Sequence, residues 1–199
     1  MLKGAAWGLA ALVAVTGVAG YCAAAEVQQA IVGHKGSRYH LDLRMRLEIP
    51  AGAAWQVFTD FAALRELNPI ITEVHATRIA ADRFEVDATV HACVLVFCRS
   101  VRQLQDVRLY PQAQGGVIDG RVVPAHSDFS YGIQRWDIAP CSAEAQTTCL
   151  RFVADLEPKF WIPPWIGSVL VEHKMRKEAE TVARNVELKV LRNRQAAQP

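Results

Sequence analysis

The segment YHLDLRMRLEI, residues 39–49, alternates apolar and polar side chains over its whole length. Its apolar positions are Tyr39, Leu41, Leu43, Met45, Leu47 and Ile49. Successive side chains of a β-strand point to opposite faces, so this alternation predicts a strand with one buried and one solvent-exposed face. A strand of this kind is typical of an antiparallel sheet that is covered on one side only.

The residues after this strand predict two short helices and then a run of strands. The apolar positions at helical spacing are Ala54, Val57, Phe58, Phe61 and Leu64. Asn68-Pro69 ends that pattern, because the residue before a proline avoids helical backbone angles. Six strand-like runs follow, and their short connections leave no room for crossover helices. We therefore expect about seven antiparallel strands in total, with a bulge where Gln134-Arg135 interrupts the alternation.

The C-terminal segment predicts one long amphipathic helix. Apolar side chains recur at helical spacing from Ile166 to Val190, with His173 on the apolar side, while lysine, arginine and glutamate occupy the other face. Residues 195–199 are expected to fray. An antiparallel sheet of about seven strands, curved around one long C-terminal helix, is an α+β arrangement. Such a sheet encloses a cavity wherever the core is not fully packed.

The first 25 residues have the three parts of a secretory signal peptide. Lys3 is the only charge before Glu26, an apolar run follows, and Ala23–Ala25 supply the small residues for cleavage. We expect cleavage after Ala25, an exported, periplasmic chain with a loose lead-in at residues 26–37, and one domain at residues 38–194. An uncleaved membrane anchor is the alternative, because the apolar run is nearly long enough to span a bilayer.

Charge and motifs limit the classes of function. The formal net charge is +2, which gives no reason to propose a nucleic-acid partner. The sequence has no glycine-rich phosphate loop, and its cysteines lack the CxxC spacing that is typical of structural zinc. We therefore predict no cofactor and no bound metal.

Four cysteines lie outside the signal peptide: Cys93, Cys98, Cys141 and Cys149. An even number in an exported chain predicts disulfides. In one continuous strand Cys93 and Cys98 would be about 16 Å apart, too far to bond, whereas on either side of a hairpin loop they face each other. Cys141 and Cys149 flank the loop between the last two predicted strands in the same way. The predicted bonds are Cys93–Cys98 and Cys141–Cys149, with reduced core cysteines or a metal site as the alternatives.

The loop between the first cysteine pair is apolar. Hairpin turns normally carry glycine, asparagine or aspartate, but Val94–Phe97 has none of these residues. Such a loop either folds back on the body of the domain, or gates a cavity, or makes a transient contact with a membrane.

The element order and the segment LEIPAGAAWQVFTDFAALRELNPIITEV, residues 47–74, resemble the START-like, helix-grip superfamily. That superfamily includes polyketide cyclases and the coenzyme Q-binding COQ10 proteins, and the resemblance covers residues 39–191. It implies a helix-grip fold with an apolar cavity between the sheet and the C-terminal helix. The signal peptide and the paired cysteines depart from most members, and an exported member could not act on cytoplasmic polyketides.

The resemblance implies binding of a hydrophobic small molecule of the lipid or isoprenoid quinone class, with its transport as an extension of that function, and the predicted signal peptide puts this function outside the cytoplasm. The residues expected in the pocket wall are Phe58, Trp136, Phe160, Trp161, Trp165 and Leu170, with His173 as a polar contact. Gln103 and Gln105 are further candidates for inward polar contacts. The aromatic segment at residues 159–167 either plugs one end of the barrel or forms the rim of the pocket.

No catalytic residues are predicted. His40, His75 and His91 fall on the polar side of strands, and residues 126–128, His-Ser-Asp, are adjacent in one loop, whereas the partners of a catalytic triad come from separate segments. The alternatives to a binding protein are a cyclase or hydrolase that uses the same cavity and a structural or partner-binding module with a fully packed core.

Overall fold

The computed structural model describes residues 25–94, 96–143, 146–162 and 168–197. Residues 1–24 of the predicted signal peptide lie outside the described residues, as do Trp165 and residues 198–199. The strands are β1 (Glu26–Lys35), β2 (Arg38–Leu47), β3 (Ile71–Ala80), β4 (Arg83–Val94), β5 (Phe97–Gln112), β6 (Gly115–Val122), β7 (Phe129–Pro140) and β8 (Thr148–Pro158). The helices are α1 (Ala51–Thr59), α2 (Leu64–Leu67) and α3 (Ser168–Ala196), with short 3₁₀ turns at Phe61–Ala63 and Pro124–His126.

The strands form one antiparallel sheet of eight strands in the order β1-β2-β8-β7-β6-β5-β4-β3. The helices α1 and α2 follow β2, and the long helix α3 ends the chain. This arrangement is the predicted helix-grip fold: a curved antiparallel sheet around a long C-terminal helix. Of the helices within the described residues, none combines the length and the apolar character needed to cross a membrane.

The predicted loose lead-in is wrong, because residues 26–35 form the edge strand β1. This strand pairs with β2 along its whole length and buries Ala30 and Val32. A shift of register between Val27 and Gln29 breaks the alternation that would have identified the strand. The sheet therefore has one strand more than the sequence predicts.

The bulge in β7 also differs from the prediction. Gln134 and Arg135 pair in regular register with Ala154 and Val153 of β8, and the register shift lies between Phe129 and Tyr131 instead. The alternation of β7 therefore continues through residue 134. As a result Gln134 points to the inner face of the sheet, while its neighbour Arg135 forms ion pairs on the outer face.

The core lies between the concave face of the sheet and the helices. The largest side chains that are almost completely buried are Met45, Leu47, Ile138, Leu150 and Val186. Helix α3 contributes Ala179, Ala183, Val186 and Val190, which recur at helical spacing and are all buried. Asn185 Nδ2 donates a hydrogen bond to the carbonyl of Leu67 at 3.0 Å, which fixes α3 against α2.

Both predicted cysteine pairs are confirmed, with Cα–Cα distances of 4.0 Å for Cys93–Cys98 and 4.8 Å for Cys141–Cys149. Cys93 lies directly opposite Cys98 in the β4–β5 hairpin. Val94 also pairs with Phe97, so the turn is shorter than the predicted four-residue loop. Val96, in that turn, is 91% exposed and does not fold back on the domain.

Candidate functional site

A cavity of about 240 Å³ lies between the concave face of the sheet and the helices. Most of its wall is hydrocarbon or aromatic, from Phe58, Phe61, Leu64, Leu67, Ile71, Val86, Val107, Ile118, Trp136 and Val182. Three polar side chains complete the lining: Asn68, Gln105 and Gln134. A mostly apolar wall with a few placed polar groups is typical of a site for a small hydrophobic ligand.

The alternation of the central strands places these side chains. Gln105 and Val107 are two residues apart on β5, and Gln134 and Trp136 are two residues apart on β7, so each pair shares the inner face. Between these strands, Gly120 of β6 pairs with Val107 on one side and with Gln134 on the other. The cavity floor is therefore built from neighbouring strands of one sheet.

Aromatic contacts make one side of the wall rigid. The ring centroid of Trp136 lies 5.4 Å from that of Phe58 and 4.2 Å from that of Phe152. Phe61 packs edge to face on Phe84 at 5.1 Å. Tilted and edge-to-face contacts at these distances are favourable arrangements of aromatic rings. The wall around Trp136 is thus shaped before any ligand enters.

Gln105 and Gln134 form a hydrogen-bonded amide pair in this otherwise apolar lining. Gln134 Nε2 donates to Gln105 Oε1 at 2.5 Å. Gly120 makes room for both side chains, because a Cβ atom at that position would lie 2.8 Å from Gln134 Cγ and 2.9 Å from Gln105 Oε1. Gln105 is only 8% exposed, so its amide lies in the interior of the protein.

Asn68 has a structural role at the edge of the cavity. Its Oδ1 accepts a hydrogen bond from the backbone N–H of Ile70 at 3.1 Å, which closes the turn between α2 and β3. Like Gln105, Asn68 is 8% exposed. The Asn68 Nδ2 has no hydrogen bond among the described residues, so the polar groups that remain for a ligand are the two glutamine amides and the N–H groups of Asn68.

The predicted pocket residues fall in different places. Phe58, Trp136 and Gln105 line the cavity, and their contact with a ligand stays a prediction. Phe160 lies elsewhere, packed on Phe129 at 6.2 Å with the guanidinium of Arg99 4.4 Å above its ring. Trp161, which is 69% exposed, and Gln103 lie outside the described lining, and Trp165 lies outside the described residues.

Leu170 and His173, which the sequence analysis placed on the cavity wall, are not among its described lining residues. Leu170 is half-buried but outside the described lining, and His173 is exposed. Val182 is the residue of α3 that lines the cavity. His173 and Val182 are nine residues apart, about two and a half turns, so they project from opposite sides of the helix.

Gln134 and Val182 line the cavity, but the sequence analysis did not predict them as pocket residues. Gln134 was assigned to a bulge, although the two-residue spacing from Trp136 and Ile138 identifies it as an inward position. Val182 shares its side of α3 with the buried Ala179 and Val186, at three and four residues' distance.

A larger depression, of about 830 Å³, lies on the outer face of β5 to β8 and differs in chemistry. Its lining is rich in arginine and aspartate. Neighbouring ion pairs on this face include Arg83–Asp106 and Arg151–Asp42, each at 2.8 Å. The hydrogen bond from Arg83 lowers the pKa of the Asp106 carboxyl below its usual value. This depression is lined by charged side chains, whereas the inner cavity is mostly apolar, so we place the site for a hydrophobic ligand in the inner cavity.

In the described part of the chain, His91, Cys93 and Cys98 bring their nitrogen and sulfur atoms within 4.8 Å of one another. Such a group is a candidate for binding a metal. Both sulfurs, however, are joined in the disulfide of the β4–β5 hairpin. A cysteine binds a metal as a thiolate, so these two cysteines are not metal ligands while the disulfide that closes the hairpin is formed.

The curved antiparallel sheet and the long C-terminal helix define a helix-grip fold, and the cavity lies between them. Neither a comparison with protein-family models nor a search of curated proteins gave a match. Among solved structures, human STARD10 has a TM-score of 0.61 at 13% identity, covering 85% of this chain and 77% of that chain. The Zhui aromatase/cyclase from a Streptomyces species has a TM-score of 0.59 at 16% identity, covering 81% of this chain and 98% of that chain.

A STAR-related lipid transfer protein from Xanthomonas axonopodis also has a TM-score of 0.59, at 12% identity, covering 79% of this chain and 98% of that chain. At these identities the likeness shows the fold alone. The chain therefore shares the fold of START superfamily proteins and aromatase/cyclases. The coenzyme Q-binding branch that the sequence resemblance included stays a prediction.

Proposed function

We propose that the protein binds, and carries, a hydrophobic small molecule of the lipid or isoprenoid quinone class outside the cytoplasm. The observation that carries this proposal is the cavity of about 240 Å³ with its hydrocarbon and aromatic wall. A cavity is the feature that a structural module with a fully packed core lacks. Its lining of hydrocarbon, aromatic and amide side chains is suited to binding, because none of these groups exchanges a proton at neutral pH.

The cavity has room for a ring or for part of a longer ligand. An apolar cavity of about 150 Å³ in another protein holds a benzene molecule, so about 240 Å³ suits a two-ring group. The half-buried side chains of Ala88, Val90 and Val101 continue the inner face of β4 and β5 beyond the lining. Gln103 lies between Gln105 and Val101 on this face, so an isoprenoid or acyl chain that extends along it would pass the amide of Gln103.

A carrier also needs a way to exchange its ligand. Val96 and Trp161 are 91% and 69% exposed, which is unusual for such apolar side chains. The contact of Arg99 with the ring of Phe160 joins the β4–β5 hairpin to the segment that contains Trp161. A transient membrane contact through these residues would bring the cavity close to a lipid surface.

The neighbours in fold agree with this proposal to different degrees. The Xanthomonas protein is named as a lipid transfer protein, whereas the Streptomyces protein is an aromatase/cyclase. An enzyme that uses the same cavity is therefore the second candidate. Native mass spectrometry of the purified exported protein, followed by solvent extraction, tests both. A co-purified lipid or quinone supports binding, and conversion of that molecule on incubation with the protein supports the enzyme.

Export is supported by the two disulfides, which persist in oxidising compartments. We expect the mature chain to begin at Glu26, after cleavage of the predicted signal peptide at residues 1–25. N-terminal sequencing of the protein from the periplasmic fraction measures this directly. Intact Met1 on soluble protein from the cytoplasm would show that export is wrong, and intact Met1 in the membrane fraction would favour the anchor.

Replacing Val182 with phenylalanine is expected to fill the cavity from α3. Binding of tetralin, a two-ring hydrocarbon probe, should weaken by about tenfold or more, because the new ring takes the space of the ligand. The fold should survive, since the added atoms enter empty space rather than a close-packed core. Isothermal titration calorimetry gives the affinity, and circular dichroism checks the fold.

Val169→Phe is the matched control for this experiment. Val169 is on the same helix but is 77% exposed and outside the described lining, so its replacement should leave tetralin binding unchanged. Equal affinity of Val182→Phe and the wild-type protein for tetralin would contradict the proposed site.

A further inference from the structure

We infer that the amide pair of Gln105 and Gln134 selects the ligand: an uncharged molecule that presents a carbonyl or hydroxyl oxygen to the two side chains. This inference rests on the proposed function, since it concerns the same cavity. Its basis is a polar pair built into an apolar wall, with Gln134 Nε2 donating to Gln105 Oε1 at 2.5 Å.

The amide pair keeps unused hydrogen-bonding capacity. Each glutamine amide has two N–H donors and an oxygen with two lone pairs, and the bond between the amides uses one donor and one lone pair. Among the described residues, no other hydrogen bond engages these two side chains. Exchanging the nitrogen and oxygen positions of the two amides changes which amide donates, but it leaves N–H groups free in either case. The pair can therefore donate to an oxygen atom of a ligand.

Gly120 is the element that makes this pair possible. Gln105 and Gln134 lie on β5 and β7, which are separated by β6, and strands two places apart in a sheet are about 10 Å from each other. The two long side chains meet above Gly120, where a Cβ atom would lie within 2.9 Å of both of them. The middle strand β6 thus carries no side chain at the position where the two amides form their hydrogen bond.

The rest of the lining selects against charge. Every described residue of the lining is uncharged, from the aromatic wall to the two glutamines. A carboxylate moved into this cavity would lose its hydration without gaining an ion pair, which is costly. An oxygen that accepts a hydrogen bond but carries no charge loses far less and gains the amide N–H groups. Ketones, quinones, esters and alcohols fit this description, whereas free fatty acids do not.

The test compares tetralin with α-tetralone, which has the same skeleton and one carbonyl oxygen. Both affinities are measured by calorimetry for the wild-type protein and for the double variant Gln105→Leu/Gln134→Leu. Replacing both partners of a hydrogen bond by apolar side chains of similar size leaves no unpaired group, so the fold should be kept. We expect the preference for α-tetralone over tetralin to fall by about tenfold, while tetralin itself binds as well as before or better.

Gln103→Leu is the matched control, because Gln103 is the same residue type on the same inner face of β5, and its buried Nε2 has no hydrogen-bond partner among the described residues, but it lies outside the described lining. The preference for the ketone should be unchanged in this variant. Gly120→Ala is an independent variant that keeps both amides but pushes them apart, and it should lower the same preference. Tetralin carboxylate should bind the wild-type protein at least tenfold more weakly than α-tetralone, because the lining has no cation for it.

The outcomes separate the two proposals. If neither tetralin nor α-tetralone binds the wild-type protein, the proposed function is wrong at this cavity. If both bind and the double variant keeps the wild-type preference, the cavity binds ligands but the amide pair does not select them. An equal loss of preference in Gln103→Leu, or tight binding of the carboxylate, would likewise overturn the inference and leave the proposed function standing.

Discussion

Replacing Val186 with aspartate should destabilise the protein by about 4 kcal/mol or more and abolish tetralin binding. Val186 is completely buried, at 0% exposure, in the stripe by which α3 packs on the core. A carboxylate at this position would have no cation or hydrogen-bond donor placed for it, and a buried unpaired charge is among the most destabilising changes known. Because α3 carries Val182, its detachment would also open the cavity.

The polar contacts of α3 do not replace this burial. Glu187 accepts a hydrogen bond from the backbone N–H of Glu48 at 2.7 Å, and Lys189 lies 3.3 Å from the carboxylates of both Asp60 and Glu66. Such contacts near the surface contribute little to stability, typically below about 1 kcal/mol each. Urea unfolding, followed by circular dichroism, gives the change in the free energy of unfolding.

Leu188→Asp is the matched control for Val186→Asp. Leu188 is two residues away on α3 and 49% exposed, so the new carboxylate stays in water and the cost should remain below about 1 kcal/mol. Similar stabilities of the two variants would show that α3 does not pack on the core through the buried side of the helix that contains Val186.

The sequence predicts an element well where a single local pattern is enough to identify that element. The uninterrupted alternation of residues 39–49 identifies β2, and the cysteine pairing follows from the opposed positions of two strands around each loop. Strand β1 shows the limit of such signals. Ile31 is 48% exposed, and the register shift after Val27 moves the inward positions, so the alternation is visible only once β2 is seen as its partner.

Part of the site was predictable because local spacing identifies the inner face of some of its elements. Phe58 and Trp136 lie on elements whose spacing identifies the inner face, and Gln105 follows from the alternation of β5. His173 was misplaced because the apolar residues at the start of α3 suggested a stripe that the helix does not bury. Val169 of that stripe is 77% exposed, and the buried stripe begins at Ala179. Which face of a long helix is covered depends on where the sheet lies, and local periodicity does not encode that.

The meeting of Gln105 and Gln134 could not be read from the sequence at all. The two residues are 29 positions apart and lie on strands that are not neighbours. Their contact depends on the order of the strands, on the register of β6 with both partners, and on the absence of a side chain at Gly120. A polar residue at an inward position is the signal that the sequence offers, and the structure supplies its partner.

Replacing Gly115 with alanine is expected to destabilise the protein by about 3 kcal/mol or more. Gly115 begins β6 with a φ of 102°, a conformation that residues with a side chain rarely adopt. A Cβ atom there would overlap the backbone carbonyl oxygen of Ile138 and lie 3.0 Å from its carbonyl carbon. Ile138 is 1% exposed in the neighbouring strand β7, so its backbone cannot move aside without disturbing the core.

Gly33→Ala is the matched control, because Gly33 lies within β1, has no positive φ, and has open space around the position of a Cβ atom. Alanine there should change stability by at most about 1 kcal/mol, and it could stabilise the strand. Urea unfolding of both variants makes the comparison, and an equal effect at the two positions would contradict the close approach of β6 and β7. That approach matters for the site as well, since the same pair of strands carries Gly120 and Gln134. We therefore expect any folded fraction of Gly115→Ala to show a weaker preference for α-tetralone over tetralin, while Gly33→Ala keeps it.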